Sequence, residues 1–357
     1  MGRMKALAGL LVMFALATCA SGAAGVTSTP QLLVSGATET GASAATLVEV
    51  KEERTDAAPS RISIYAPAGY VANLGQTAGT LIGTVDASVQ MLGLSPEPVA
   101  LSGTIHTDSP TFYVDSTCAP GKHTAVWMLR FAVLGTTLGV PVYVDATMGD
   151  EGAFSSAKIV ICLRNPYEPP GPGGRAPSVK FVGVKLILSA GMLTNPTAAG
   201  SYVWRTVITP WTANGATENT AGTIEAQSIV NVPSSLSLKA KVRTIRHRKG
   251  GRTTVTNSVL LSGKVRENLN GIPGAKVTFY ANGKTAGSVP TGASGVFSRR
   301  TGLSRRTTIR ATATVPTRET ACVNALPPTL APAGCVGATI AGYKLGSNTV
   351  TATPRKR

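Results

Sequence analysis

Apolar and polar residues alternate along most of this chain. Within residues 179–189, Val182, Val184, Leu186 and Leu188 fall on one face of an extended segment, while Lys180 and Lys185 fall on opposite faces. A period of two is what a half-buried strand requires. The same reading predicts strands over 46–54, 61–66, 80–89, 99–107, 111–115, 125–134, 140–146, 156–164, 179–189, 202–209 and 223–232. A second series follows over 235–245, 253–265, 275–281, 284–290, 295–300, 307–315, 338–345 and 348–353. Short strands punctuated by Gly, Pro, Asn and Asp predict an all-β protein with two β-sandwich, or partly closed barrel, domains.

The start of the chain breaks this pattern. Arg3 and Lys5 precede an apolar run over residues 6–17, and small residues follow around Ser21, Gly22, Ala23 and Ala24. That layout predicts a secretory signal peptide over 1–24, too short for a permanent membrane span. Leu16-Ala17-Thr18-Cys19 resembles the lipobox of bacterial lipoproteins, with Thr18 standing where Gly, Ala or Ser is usual. Cys19 is therefore a lipidation candidate; ordinary cleavage near Ala23 or Ala24 would discard it. Residues 25–43 read as a flexible leader, 44–232 as a first sandwich containing a Pro-rich loop at 165–177, and 233–357 as a second. No later stretch approaches the roughly 20 apolar residues of a transmembrane helix. The chain is expected to be secreted or held at the cell surface.

An oxidising compartment suits the remaining cysteines, Cys118, Cys162, Cys322 and Cys335, an even set without zinc-type spacing. Four cysteines allow three pairings, and the division near residue 233 favours Cys118–Cys162 with Cys322–Cys335.

Charge divides as sharply as the strands do. Residues 1–235 carry 13 Lys/Arg against 15 Asp/Glu, a balance of −2, and residues 236–357 carry 21 against 2, a balance of +19; together these give the chain's +17. Lys239, Lys241 and Arg243 share one face of a predicted strand, and Arg246, Arg248, Lys249 and Arg252 populate a basic loop turned by Gly250-Gly251. Arg299, Arg300, Arg305 and Arg306 gather near a later turn, and Arg355, Lys356 and Arg357 end the chain. Such a field concentrates polyanions. Outside the cytoplasm this points to anionic envelope polymers or lipid headgroups as partners, with no specific nucleic acid.

The second module carries a resemblance. Ser262-Gly263-Lys264-Val265, then residues 271–279 (GIPGAKVTF), then 291–298 (TGASGVFS) follow the order seen in bacterial Ig-like and carboxypeptidase-regulatory-like sandwich modules. The resemblance implies an Ig-like fold for 233–357 and no particular activity, because such modules act as spacers, adhesins and glycan binders. The stretch from Cys322 to Cys335 is not part of that pattern. The first module is similar to uncharacterised exported proteins of high-GC Gram-positive bacteria, which implies no activity either.

Catalytic groupings are sparse. There is no GxSxG elbow, P-loop or dinucleotide fingerprint. His106, Asp108 and His123 read as surface residues rather than metal ligands, and Asp145, Asp150 and Glu151 as solvated groups around a turn. Trp127 and Trp204 lie among apolar neighbours and are expected in the core, with Trp211 at an exposed strand end. No cofactor is expected. The sequence thus points to a non-enzymatic exported binding protein, with a structural or adhesive surface protein using the Ig-like module as a spacer as the alternative. A secreted hydrolase is a minor third reading.

Overall fold

The computed structural model describes residues 28–93, 95–133, 135–167, 179–212, 217–327, 330 and 334–355. The expected signal peptide with Cys19, the Pro-rich loop from residue 168, Lys356 and Arg357 lie outside them. The protein is all-β. In chain order the strands are β1 (Gln31–Ser35), β2 (Thr46–Lys51), β3 (Pro59–Pro67), β4 (Val71–Ala72), β5 (Leu81–Met91), β6 (Val99–Asp108), β7 (Ala125–Val133), β8 (Thr136–Ala146), β9 (Ser155–Cys162), β10 (Val179–Leu188), β11 (Leu193–Thr194), β12 (Gly200–Pro210) and β13 (Ile224–Val232). They continue as β14 (Ser234–Lys249), β15 (Arg252–Glu267), β16 (Asn270–Gly271), β17 (Lys276–Ala281), β18 (Lys284–Pro290), β19 (Val296–Gly302), β20 (Thr307–Val315), β21 (Arg318–Thr320), β22 (Cys335–Ile340), β23 (Tyr343–Gly346) and β24 (Val350–Ala352).

One large sheet runs in the order β1-β2-β10-β5-β6-β7-β8-β9-β3-β12-β13-β22-β21. Its inward face is apolar on alternate residues, as in β10, where Val182, Val184, Leu186 and Leu188 are buried. The sheet curls until β1 lies against β13, where the Val34 amide donates to Ser228 Oγ at 2.9 Å. Trp127 and Trp204 fill the enclosed core, both buried as their apolar neighbours require. The leader expected over 25–43 is not all flexible: β1 lies within it, and Leu32 and Val34 enter this core. Residues 111–115 form no strand, because Pro110 opens a short 3-10 turn and Asp108 accepts from the Ser109 amide and the Tyr113 hydroxyl. Trp211 is half-buried rather than exposed.

Sheet membership changes between Val232 and Ser234. Beyond that point β14, β15, β16 and β19 form one sheet and β17, β18, β20, β23 and β24 another. The two sheets face each other across one core, with Leu236, Leu238, Leu261 and Phe297 on one side and Val277, Phe279, Ile309 and Ala313 on the other. Phe279 and Phe297 meet edge to face, 5.7 Å between ring centroids. Gly263 is obligatory here, since a Cβ would sit 2.6 Å from the Phe297 ring and 1.9 Å from the Ser237 carbonyl oxygen.

The chain then crosses back. β21 and β22 pair with each other, and β22 runs parallel to β13, extending the first sheet. The strand expected over 338–345 is accordingly two strands in different sheets. They part at Gly342, where a Cβ would come within 2.8 Å of Val315 O and Thr317 N. Both expected disulfides are present, Cys118–Cys162 and Cys322–Cys335.

Candidate functional site

Among the described residues, most of the basic residues that the sequence scatters over three stretches lie on one hairpin or at its base. β14 and β15 pair without a slip from Ser234↔Glu267 to Lys249↔Arg252. Gly250 and Gly251 make the turn with φ of 54° and 75°, a region that favours residues without a Cβ. Residues 246–249, expected as a loop, are therefore strand. At about 3.3 Å per residue the hairpin reaches roughly 50 Å from the junction with the first sheet. Burial fades along it: Leu236 and Leu238 are buried, Ala240 and Val242 half-buried, and every residue from Ile245 to Lys249 is exposed. The tip overhangs the core.

Alternation fixes the faces. Lys239, Lys241 and Arg243 all point outward from the sandwich and are exposed. Arg300 joins their face, because Leu260 pairs with both Lys241 and Arg300. Arg246 and Arg248 take the opposite face of the overhang, and Lys249 and Arg252 oppose each other at the tip. Arg305 and Arg306 follow Leu303, whose amide donates to Asn257 O at 2.9 Å, and Asn257 Nδ2 donates to Arg355 O at 3.2 Å. Both segments thus reach the base of the overhang. Arg299 stands apart; its guanidinium lies against Gly287 and donates to Ser288 O at 3.2 Å.

The acids of this half lie elsewhere. Glu267 is buried at the junction end, where its carboxylate accepts from Arg318 Nη2 at 2.6 and 2.7 Å, from Asn231 Nδ2 at 3.2 Å and from the Tyr343 hydroxyl. Burial, reinforced by that bond to Glu267, pushes the Tyr343 hydroxyl well above its ordinary pKa. Glu319 sits on β21. Among the described residues no hairpin cation has a carboxylate partner, and the one ion pair of this half joins Arg318 to Glu267.

A second feature escaped the sequence reading. On the outer face of the first sheet an open groove of about 490 Å³ runs over Ser63, Tyr65, Lys158, Val160, Val207 and Thr209. The Cys118 loop walls one side with Pro120 and His123, and Leu330 stands at the other. Asp145 and Glu151, expected to be solvated, are engaged here. Asp145 lies 2.9 Å from His123 Nδ1, while Glu151 accepts from the Tyr65 hydroxyl at 2.8 Å and Lys158 Nζ at 2.7 Å. His123 Nε2 faces Ala119 O at 3.0 Å, so both ring nitrogens are occupied. His106 is remote from this pair in its bonding, facing Gly79 O and Thr104 Oγ1. Among the described residues no three His, Cys, Asp or Glu side chains gather as metal ligands would.

Beside the groove lies a buried ion pair, Arg205 with Glu225, capped by the segment between Cys322 and Cys335. The amides of Leu326 and Val323 donate to Glu225 Oε2 and Gln227 Oε1 at 2.7 and 2.8 Å, and Arg205 Nη2 donates to Asn324 O at 2.7 Å. The disulfide holds a strap whose backbone satisfies charges that belong to another part of the chain.

An all-β, disulfide-bonded protein with a cationic arm is thus defined. No protein-family model matches the chain, and no curated protein matches it. No helix among the described residues is long and apolar enough to cross a membrane.

Proposed function

We propose that this is a non-enzymatic, exported binding protein of the cell surface or surroundings, whose module over 233–357 contacts anionic envelope polymers or lipid headgroups. The observation that carries the reading is the segregation of charge within that module. Among the described residues its hairpin cations stand without carboxylate partners along an overhang, and its buried acid, Glu267, is paired with Arg318 at the opposite end. Exposed side chains on a projecting arm meet a polymer without desolvating a core, and like charges at close spacing favour a polyanion over a neutral ligand. The disulfides fit an oxidising, extracellular setting. An export signal at the start of the chain completes this reading, ending either at lipidated Cys19 or, by ordinary cleavage near Ala23 or Ala24, without it.

Charge reversal tests it. Replacing Arg246, Arg248, Lys249 and Arg252 by Glu should abolish retention of the full chain on isolated cell envelope, with the fold unchanged by circular dichroism. Undiminished retention would overturn the proposal. It would favour the second reading, in which the module is a spacer and the groove over Ser63, Tyr65 and Lys158 engages a protein partner.

A further inference from the structure

The cationic arm has a period as well as a sign. β14 runs sixteen residues beside β15 with no bulge, so its outward side chains form one uninterrupted row. Lys239, Lys241 and Arg243 occupy successive places in it. Alternate residues of an extended strand are about 6.8 Å apart, the length of six extended backbone bonds. Beside this row the paired positions on β15 are Ser262, Leu260 and Ser258, which carry no charge and form a shoulder. Arg300 stands beyond Leu260, in line with Lys241. Among the described residues none of these cations has a carboxylate partner that a ligand must displace.

A polymer bound by such a row needs an anion at every step of the same length. In a linear phosphodiester with a three-carbon bridge, successive phosphorus atoms are joined by six bonds, P–O–C–C–C–O–P. Its extended repeat is about 7 Å, the same as the strand's. A five-carbon bridge adds two bonds, roughly 2.5 Å per repeat when extended, so it keeps the register only by folding back at every step, at a cost in conformational freedom. A flat lipid surface has no such register.

We infer that the outward face of β14 binds a linear polyphosphodiester in register, one phosphate each on Lys239, Lys241 and Arg243, with a repeat of three-carbon length. This rests on the polyanion reading above and names its ligand class. Lys239 and Lys241 serve as point charges, and Arg243 presents a planar fork to two phosphate oxygens. Arg246 and Arg248, on the opposite face, add to the field without sharing the register.

The test uses the full chain and two synthetic oligomers with equal numbers of phosphates, one joined by 1,3-propanediol and the other by 1,5-pentanediol. Binding is read by fluorescence anisotropy over a salt titration, beside phosphatidylglycerol vesicles. The propanediol oligomer should bind about tenfold more tightly than the pentanediol oligomer. Replacing Lys239, Lys241 and Arg243 together by Gln should erase that ratio and reduce the slope of log K against log salt by about 2, at roughly 0.7 per phosphate. Replacing Arg246 and Arg248 by Gln should weaken both oligomers alike and preserve the ratio. Equal affinity of the two oligomers for the native chain would overturn the register while leaving the polyanion reading standing. Binding to vesicles but to neither oligomer would also overturn it, in favour of lipid headgroups. No binding to oligomers or vesicles would overturn both.

Discussion

Glu52 offers a sharp test of the interior of the first module. It follows β2 with its side chain buried, and its neighbours are few: Ser28 Oγ donates to Oε1 at 3.0 Å, and Oε2 has no partner among the described residues. Asp56 and Lys180 are the charged groups beside it. Asp56 accepts from the amides of Thr29 and Glu53, and Lys180 Nζ donates to the carbonyls of Arg54 and Asp56. Burial pushes the Glu52 carboxyl up to about 8, outweighing the Ser28 bond that favours its ionised form. Between pH 4.5 and 8 the unfolded carboxyl has lost its proton while the folded one keeps it. The free energy of unfolding therefore falls as pH rises, by about 1.4 kcal/mol per pH unit and ~5 kcal/mol across the window. That stability is fully present below pH 4.5 and gone above 8. Burial lowers the Lys180 pKa, and this base acts in the opposite direction with pH, so the comparison must cancel it. Glu52→Gln does so, because it removes the proton and leaves Lys180 in place. Urea unfolding followed by the fluorescence of the buried Trp127 and Trp204 should show the variant gaining several kcal/mol on the native chain between pH 5 and pH 8.5. Parallel stabilities across that range would refute the reasoning.

The remaining expectations concern the strap and the second core. Cys322→Ser with Cys335→Ser frees a loop of 13 residues' separation and should cost about 3 kcal/mol in chemical denaturation, and breaking Cys118–Cys162 about 4 kcal/mol. Glu225→Ala should cost more than a surface change, about 3–5 kcal/mol, because it strands the buried Arg205; Glu225→Ala with Arg205→Met should recover part of that loss in the same assay. Gly263→Ala should destabilise the second module by at least about 1 kcal/mol, read as a lower urea midpoint, because Ser237 and Phe297 leave no space for a Cβ. A chain cut after Val232 should show raised proteolysis of the first sheet, since it loses β21, β22 and the strap over Glu225.

Much of the strand content was legible because it depends on local pattern. Alternation located β10 and the face of Lys239, Lys241 and Arg243, and the Gly250-Gly251 pair marked a turn that the structure contains. β1 was missed because its apolar residues sit in a short segment flanked by Ser, Thr and Gly, whose burial is supplied by β2 and β13. The return of β21 and β22 to the first sheet was hidden for the same reason: their partner strand lies roughly a hundred residues away in sequence, beyond any local periodicity. The groove is legible only in three dimensions. Tyr65, His123 and the turn that carries Asp145, Glu151 and Lys158 come from three separate stretches of chain, and no spacing between them announces a pair. The convergence of Arg305, Arg306 and Arg355 on the hairpin likewise depends on the bonds of Asn257.

The most direct measurement of the central claim is the salt dependence of binding by the full chain to an acidic polymer, set against a chain in which Lys239, Lys241, Arg243, Arg246, Arg248, Lys249 and Arg252 are all Gln. If the hairpin is an electrostatic arm, the native chain should show a slope of log K against log salt steeper than that of the neutralised chain by about 5, from seven cations at roughly 0.7 each, and a markedly higher affinity at low salt. Equal slopes and affinities in the two chains would contradict the account.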